Sequence, residues 1–211
     1  MSYPYIEYAA QVKQTLDHMP WQQFHQMVSL FHLARLECRH IFILGNGGSA
    51  ATASHIACDL SKNTRVADAP YMSVPRMRVM SLNDNMSLFS AIANDEGYEN
   101  VFAHQLENLL QEKDILLAIS ASGNSPNVLS AVKFARLYHA RIVGWSGYDG
   151  GALAGLVDIP IVVPNWRIEQ IEDVHMMMGH MLTAALRHKA QDDAHEYLAL
   201  SNPVEARQVP I

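Results

Sequence analysis

Cysteine is nearly absent from this sequence: 211 residues contain two, Cys38 and Cys58. Each falls inside an apolar helical pattern, so they read as packed thiols in a reducing compartment and not as a disulfide. Long hydrophobic runs are missing too. No stretch of 18 apolar residues occurs, and the start, MSYPYIEYAAQVKQ, lacks a charged segment followed by an apolar one. A cytoplasmic protein without a membrane span is therefore expected. Positive charge is scarce, with 15 Lys and Arg against 21 Asp and Glu, and a net charge of −6. That balance argues against a protein whose main task is gripping nucleic acid. No internal repeat of fixed period appears. What remains is 49% hydrophobic and 17% charged, a globular balance, in a chain long enough for one well-buried domain and an appendage.

Residues 4–37 read as two helices. Pro20 stands where the second could begin, and Trp21, Phe24, Met27, Val28 and Phe31 recur at helical spacing. From residue 40 the period changes. Short apolar runs at 41–44, 78–82, 115–119, 141–145 and 158–163 alternate with helical stretches at 48–61, 86–110, 124–138, 150–156 and 167–189. Such alternation predicts a parallel sheet covered on both faces. The segment DAPYMSVPRM, 68–77, reads as a proline-rich connector, and from about residue 190 the periodicity fades. The expected organisation is a hairpin over 1–38, an α/β domain over 39–189 and a tail over 190–211. Leu30, Leu33 and Leu36 point away from the Trp21–Phe31 face, so the hairpin is expected to pack between subunits as well as on its own sheet.

Two loops join a strand to a helix in the way that favours an anion, since unpaired N–H groups and the helix dipole converge there. One is Gly45–Ser49. The other is Ser120–Ser125, where three hydroxyls share one turn, Gly123 permits a tight fold, and Pro126 suits the first helical position. A hydroxyl-rich nest without lysine suits the phosphate monoester of a small metabolite. Nucleotide readings fare worse. GNGGSA satisfies a dinucleotide pattern by itself, but the region about 20 residues on, NTRVADAPYM, does not read as a strand ending in an acid. Neither loop ends in the G-K-[ST] of a P-loop, so no nucleotide cofactor is expected.

His55 and Asp59 project from one helical face just past the glycine loop. A second set, Glu172, Asp173, His175 and His180, lies on a methionine-rich helix. Glu172 and His180 are eight residues apart, about 12 Å of helical rise, so they meet at one centre only between their side-chain tips or across a subunit boundary. Such groups could bind a divalent metal, zinc first, or perform proton transfer; spacing alone leaves both open.

GNGGSAATASHIACDL, AIANDEGYENVFAHQL, ISASGNSPNVLSAVKFAR, GYDGGALAGLVDI and IEDVHMMMGHML, in that order, resemble the sugar isomerase (SIS) domain family, and within it the phosphoheptose isomerases. The likeness covers roughly residues 5–188. It implies a flavodoxin-like three-layer α/β sandwich with a five-stranded parallel sheet, assembled as a homotetramer with sites at subunit interfaces. It implies interconversion of sedoheptulose 7-phosphate and D-glycero-D-manno-heptose 7-phosphate, with a bound zinc ion.

Carried over residue by residue, the resemblance assigns Ser120, Ser122 and Ser125 to the phosphate. Asn46, Gly47, Ser49, Asn94 and Asp95 would line the sugar. His55, Asp59, Glu172 and His180 would hold the metal, with Asp59, Glu172 and His180 as acid and base candidates. The family commonly has glutamate at position 59 and glutamine at 172, so a carboxylate has moved between helices, and the four groups are expected to converge in one small volume. Some relatives of this fold bind sugar phosphates or protein partners without catalysis, including one that assists the bacterial replication initiator. A convergent His and carboxylate site favours the enzyme.

Overall fold

The computed structural model describes residues 3–66 and 74–201. Five strands, β1 (His40–Gly45), β2 (Arg78–Ser81), β3 (Ile115–Ile119), β4 (Arg141–Ser146) and β5 (Ile159–Val162), form one parallel sheet in the order β2-β1-β3-β4-β5. Parallel neighbours need crossovers, so helices cover both faces and the central strands are buried along nearly their whole length. Strand alternation sends Ile41, Ile43, Leu117 and Ile119 to one core, against Phe31, Ile56, Leu60, Met178 and Leu182. Phe42, Leu44 and Leu116 go to the other, against Phe102, Leu106, Val128 and Val132. This is the expected flavodoxin-like sandwich, and its winding reverses between β1 and β3, where open sheets of this kind bind ligands.

The helices are α1 (Pro4–Asp17), α2 (Trp21–Leu36), α3 (Gly48–Asn63), α4 (Met86–Asp95), α5 (Ala103–Leu109), α6 (Pro126–Leu137), α7 (Gly151–Ala154) and α8 (Ile168–Ser201). Phe24, Met27, Val28 and Phe31 of α2 are buried, while Leu33 and Leu36 are about half exposed. The hairpin is tied to α8 where Tyr8 Oη donates to Asp173 Oδ2 at 2.6 Å.

Three local readings need correction. The helical stretch expected over 86–110 is broken at Gly97, whose φ of 96° no helix accepts, and a 3₁₀ turn, Tyr98–Asn100, intervenes before α5. The last helix does not fade near residue 189. It runs to Ser201 because Ala190 and Ala194 bury against Val66 and Val74, and because Asp193 pairs with the fully buried guanidinium of Arg35 on α2. Cys38 and Cys58 are free thiols as expected, but both are exposed; Cys38 lies beyond α2 in a turn with φ 55°. Residues 67–73, which include the first part of the proline-rich connector, and 202–211 of the tail, lie outside the described residues.

Candidate active site

The loops after β1 and β3 flank the reversal point of the sheet, and both deliver their helices without a side-chain cap. Gly47 precedes α3, and Ser125, at the N-cap of α6, makes no capping bond. An N-cap serine ordinarily accepts from its own helix. Here the Ser125 hydroxyl instead faces the Ser120 hydroxyl at 3.1 Å. Ser122 is exposed, Ser125 half-buried and Ser120 buried, so the three hydroxyls line the loop from rim to floor. Together with Asn46, Ser49, Ala121, Ile168 and Glu172 they bound a cleft of about 150 Å³ that no Lys or Arg lines.

The serine loop is held from behind. Gly123 adopts φ 65°, its N–H donates to Ser120 O at 2.8 Å, and its carbonyl accepts from Leu153 N at 2.9 Å. Asn124 Oδ1 accepts from Ala152 N at 3.0 Å. The turn at Gly150–Gly151 therefore backs the loop, and a support of this kind leaves no local signal in sequence.

Asn46 is largely occupied by the protein itself. It exchanges two amide hydrogen bonds of 2.8 Å with the buried Asn127, and its Oδ1 also accepts from Tyr98 Oη at 3.0 Å. That pair locks the glycine loop to the start of α6 and so sets the spacing between the two helix N-termini. Tyr98 and Asn127 carry no local sequence signal for this role, which is a contact across the fold. Asn94 and Asp95 stand exposed at the end of α4, bonded to each other, and do not line the cleft.

Helices α3 and α8 run side by side in parallel, and their seam carries the remaining groups. At its head, the Glu172 carboxylate lies against Gly48; a methyl group there would come within 2.8 Å of either oxygen. A negative group is favourably placed in the first turn of a helix. Further along, Gly179 lets the helices close, since a methyl on it would stand 2.6 Å from Ile56 Cγ1. Beside that contact the His55 and His180 rings meet, Nε2 to Nε2 at 3.0 Å. Asp59 Oδ2 lies 3.4 Å from the first nitrogen and 3.9 Å from the second.

The expected convergence of four groups is corrected to three. Among the described residues the ligand atoms that lie within 4.8 Å of one another belong to His55, Asp59 and His180. Glu172 is two helical turns away, because residue 172 of α8 meets residue 48 of α3 while residue 180 meets residue 55. The three donors fit a cation. Ligands about 2.0–2.2 Å from a tetrahedral ion stand about 3.3–3.6 Å apart, and the observed spacings straddle that range. Two ring nitrogens approach to 3.0 Å only if one donates to the other or both aim lone pairs at a shared ion.

His175, between these two stations, is buried against the end of β4, its ring 5.8 Å from that of Trp145. Its Nε2 donates to Ser146 O at 3.2 Å, and Nδ1 is a buried nitrogen without a partner. Burial pushes its imidazole down to about 4. An unfolded chain accepts a proton there near pH 6.5, which the folded protein refuses until pH falls to about 4. Stability therefore rises with pH across this window and is lost as pH falls through it. Denaturant unfolding at pH 7 and pH 4 is expected to show that His175→Phe removes about 3 kcal/mol of acid-induced destabilisation. An unchanged pH slope would mean that this imidazole is not the group responsible.

Comparison with known proteins places these features. The family model of the SIS domain matches residues 4–147, which include both loops, His55 and Asp59. A phosphoheptose isomerase of Nitratiruptor sp. is 40% identical over 148 residues, 70% of this chain and 76% of that one. The structures of phosphoheptose isomerases from Neisseria gonorrhoeae and Francisella tularensis superpose with TM-scores of 0.77 at 28% identity. They cover 86% and 87% of this chain and 94% and 95% of their own. A sequence match across both loops, and an architecture shared over most of its length, make this chain a member of the SIS domain family, in its phosphoheptose isomerase branch.

Proposed function

We propose that this isomerase interconverts sedoheptulose 7-phosphate and D-glycero-D-manno-heptose 7-phosphate, as a cytoplasmic homotetramer with one zinc ion per site. The observation that carries this reading is a phosphate-sized serine cleft opening onto the same helical seam as a His, His and Asp triangle. Its named relatives are phosphoheptose isomerases. Among the described residues no helix is long and apolar enough to cross a membrane, which is compatible with the cytoplasm.

The phosphate sits on Ser120, Ser122, Ser125 and the open N-terminus of α6, with Ser49 and the second amide hydrogen of Asn46 toward the sugar. From there the open-chain sugar runs past Glu172 toward His55 and His180. That path follows about 12 Å of helix, which favours a long sugar phosphate, whose reacting carbons lie at the end opposite the phosphate, over a short one. A zinc ion held by His55, Asp59 and His180 would supply electrophilic stabilisation of the charge that develops on the carbonyl oxygen. Glu172 lines the phosphate cleft, two helical turns from the triangle, so it faces the sugar chain near the phosphate and the acid and base work falls to His180 at the reacting end. His180 takes the proton from C1 of the ketose while the C2 oxygen gains one, giving the cis-enediol. Return of the proton to C2, with loss of the O1 proton, completes the aldose. Remote binding of the phosphate orients the chain for both transfers.

Assembly completes the site. A cleft of about 150 Å³ is small beside the roughly 300–1,000 Å³ usual for ligand pockets. Ile168 lines the cleft and is exposed, as is Trp166 two residues earlier, while Leu33 and Leu36 stand exposed on the hairpin, Leu33 beside Ile115 and Arg141 at the opposite end of the sheet. A second copy covers these apolar groups and brings Asn94 and Asp95 to a sugar that their own protomer's cleft does not let them reach.

The test is to assay purified protein with sedoheptulose 7-phosphate before and after chelation. Formation of the aldose is expected, with loss on chelation and recovery on adding zinc. Tight binding of the sugar phosphate with no conversion would instead support a non-catalytic binding protein.

A further inference from the structure

Asp59 offers its two carboxylate oxygens to different partners. Oδ2 faces the imidazoles of His55 and His180 at 3.4 and 3.9 Å. Oδ1 is turned the other way and accepts from Asn63 Nδ2 at 2.9 Å, one helical turn further along α3. The amide nitrogen must be the atom facing the carboxylate, because the amide oxygen would repel it. Asn63 is also the last residue of α3, and its backbone carbonyl accepts from Arg187 Nε at 2.6 Å. Arg187 lies on α8, two turns beyond His180. One residue thus joins the end of the Asp59 helix to the His180 helix through its backbone, and holds the Asp59 carboxylate through its side chain.

We propose that Asn63 is a positioning residue for the triangle, its side-chain amide withholding Oδ1 so that Asp59 presents only Oδ2 to a bound divalent cation. This rests on reading the triangle as a metal centre. A short aspartate side chain rotates readily, and a rotating carboxylate spreads its donor atoms over several directions. Tying one oxygen leaves the other aimed, so less ordering is required when the ion arrives. Groups that orient a ligand without touching the metal contribute strongly to affinity.

The test compares the native protein with Asn63→Ala and Asn63→Gln, using cobalt(II) and zinc alone as probes. Affinities come from competition with a chromophoric chelator, and coordination from the visible absorption of the cobalt(II) form. Asn63→Ala is expected to weaken both metals by about 10- to 100-fold and to alter the cobalt spectrum. Asn63→Gln, which can still donate to an aspartate one turn away, is expected to recover most of the loss. The thermal midpoint of the metal-free protein should not change, since the Arg187 contact uses the backbone. Native-like affinity in Asn63→Ala overturns the proposal alone. A fall in metal-free stability that accounts for the lost affinity, or failure of glutamine to rescue, makes the role merely structural and also overturns it. No binding by the native protein overturns the metal-centre reading, and this proposal with it.

Discussion

His180→Ala is expected to lower turnover of a heptose phosphate by about 10³-fold, roughly 4 kcal/mol of transition-state stabilisation. It is also expected to strip the metal centre of one of its two nitrogens. The ring is about half exposed and meets His55 at the surface of the α3–α8 seam, so its removal opens no buried cavity. The close contact that sets the seam, Gly179 on Ile56, is untouched. Folding should therefore persist while chemistry fails. Steady-state kinetics, metal content after dialysis and circular dichroism on one preparation would check all three. Turnover within about tenfold of native would show that the ring pair is not the reacting centre.

Gly123→Ala is expected to damage the phosphate anchor more than loss of any one serine hydroxyl. Two costs combine at this position. The backbone holds φ 65°, a region that costs a residue with a Cβ about 1–2 kcal/mol. The added methyl would also lie 2.1 Å from the carbonyl oxygen of Gly150, a backbone atom that no rotamer change can move aside. Relief requires the serine loop to part from its support, and overpacking of this kind typically costs about 1–3 kcal/mol. Binding of the sugar phosphate should fall by about 10²-fold or more. Ser125→Ala, which removes one hydrogen bond to a charged group, should cost roughly 1.5–3 kcal/mol. Calorimetric titration of the three proteins would rank them, and a Gly123→Ala variant that binds as native does would show that the loop is not the anchor.

The strands were legible because fully buried parallel strands leave continuous apolar runs, as IFIL and ILLAI do, and these are local features. Both loops were legible for a similar reason. A glycine or serine cluster between an apolar run and a helical pattern carries its conformation in its own residues. Hairpin burial at Phe24, Val28 and Phe31 followed from helical spacing. What these signals share is a range of a few residues.

Where range exceeded that, only the tertiary structure decided. Continuation of α8 to Ser201 depends on Ala190, Ala194 and Asp193 meeting Val74 and Arg35, and two small alanines carry little periodic signal. Asn46 read as a sugar ligand, but its bonds to Asn127 and Tyr98 come from residues 81 and 52 positions away. The largest difference is at the acids and imidazoles. Spacing put His55 with Asp59, one turn apart on one face, and correctly warned that eight residues separate Glu172 from His180. Which helix turn of α3 each would meet is set by the axial register of two packed helices, fixed where Gly179 admits Ile56. That register sends Glu172 to the glycine loop and His180 to His55. A local pattern specifies which face of a helix a side chain occupies; only close packing specifies what waits opposite it.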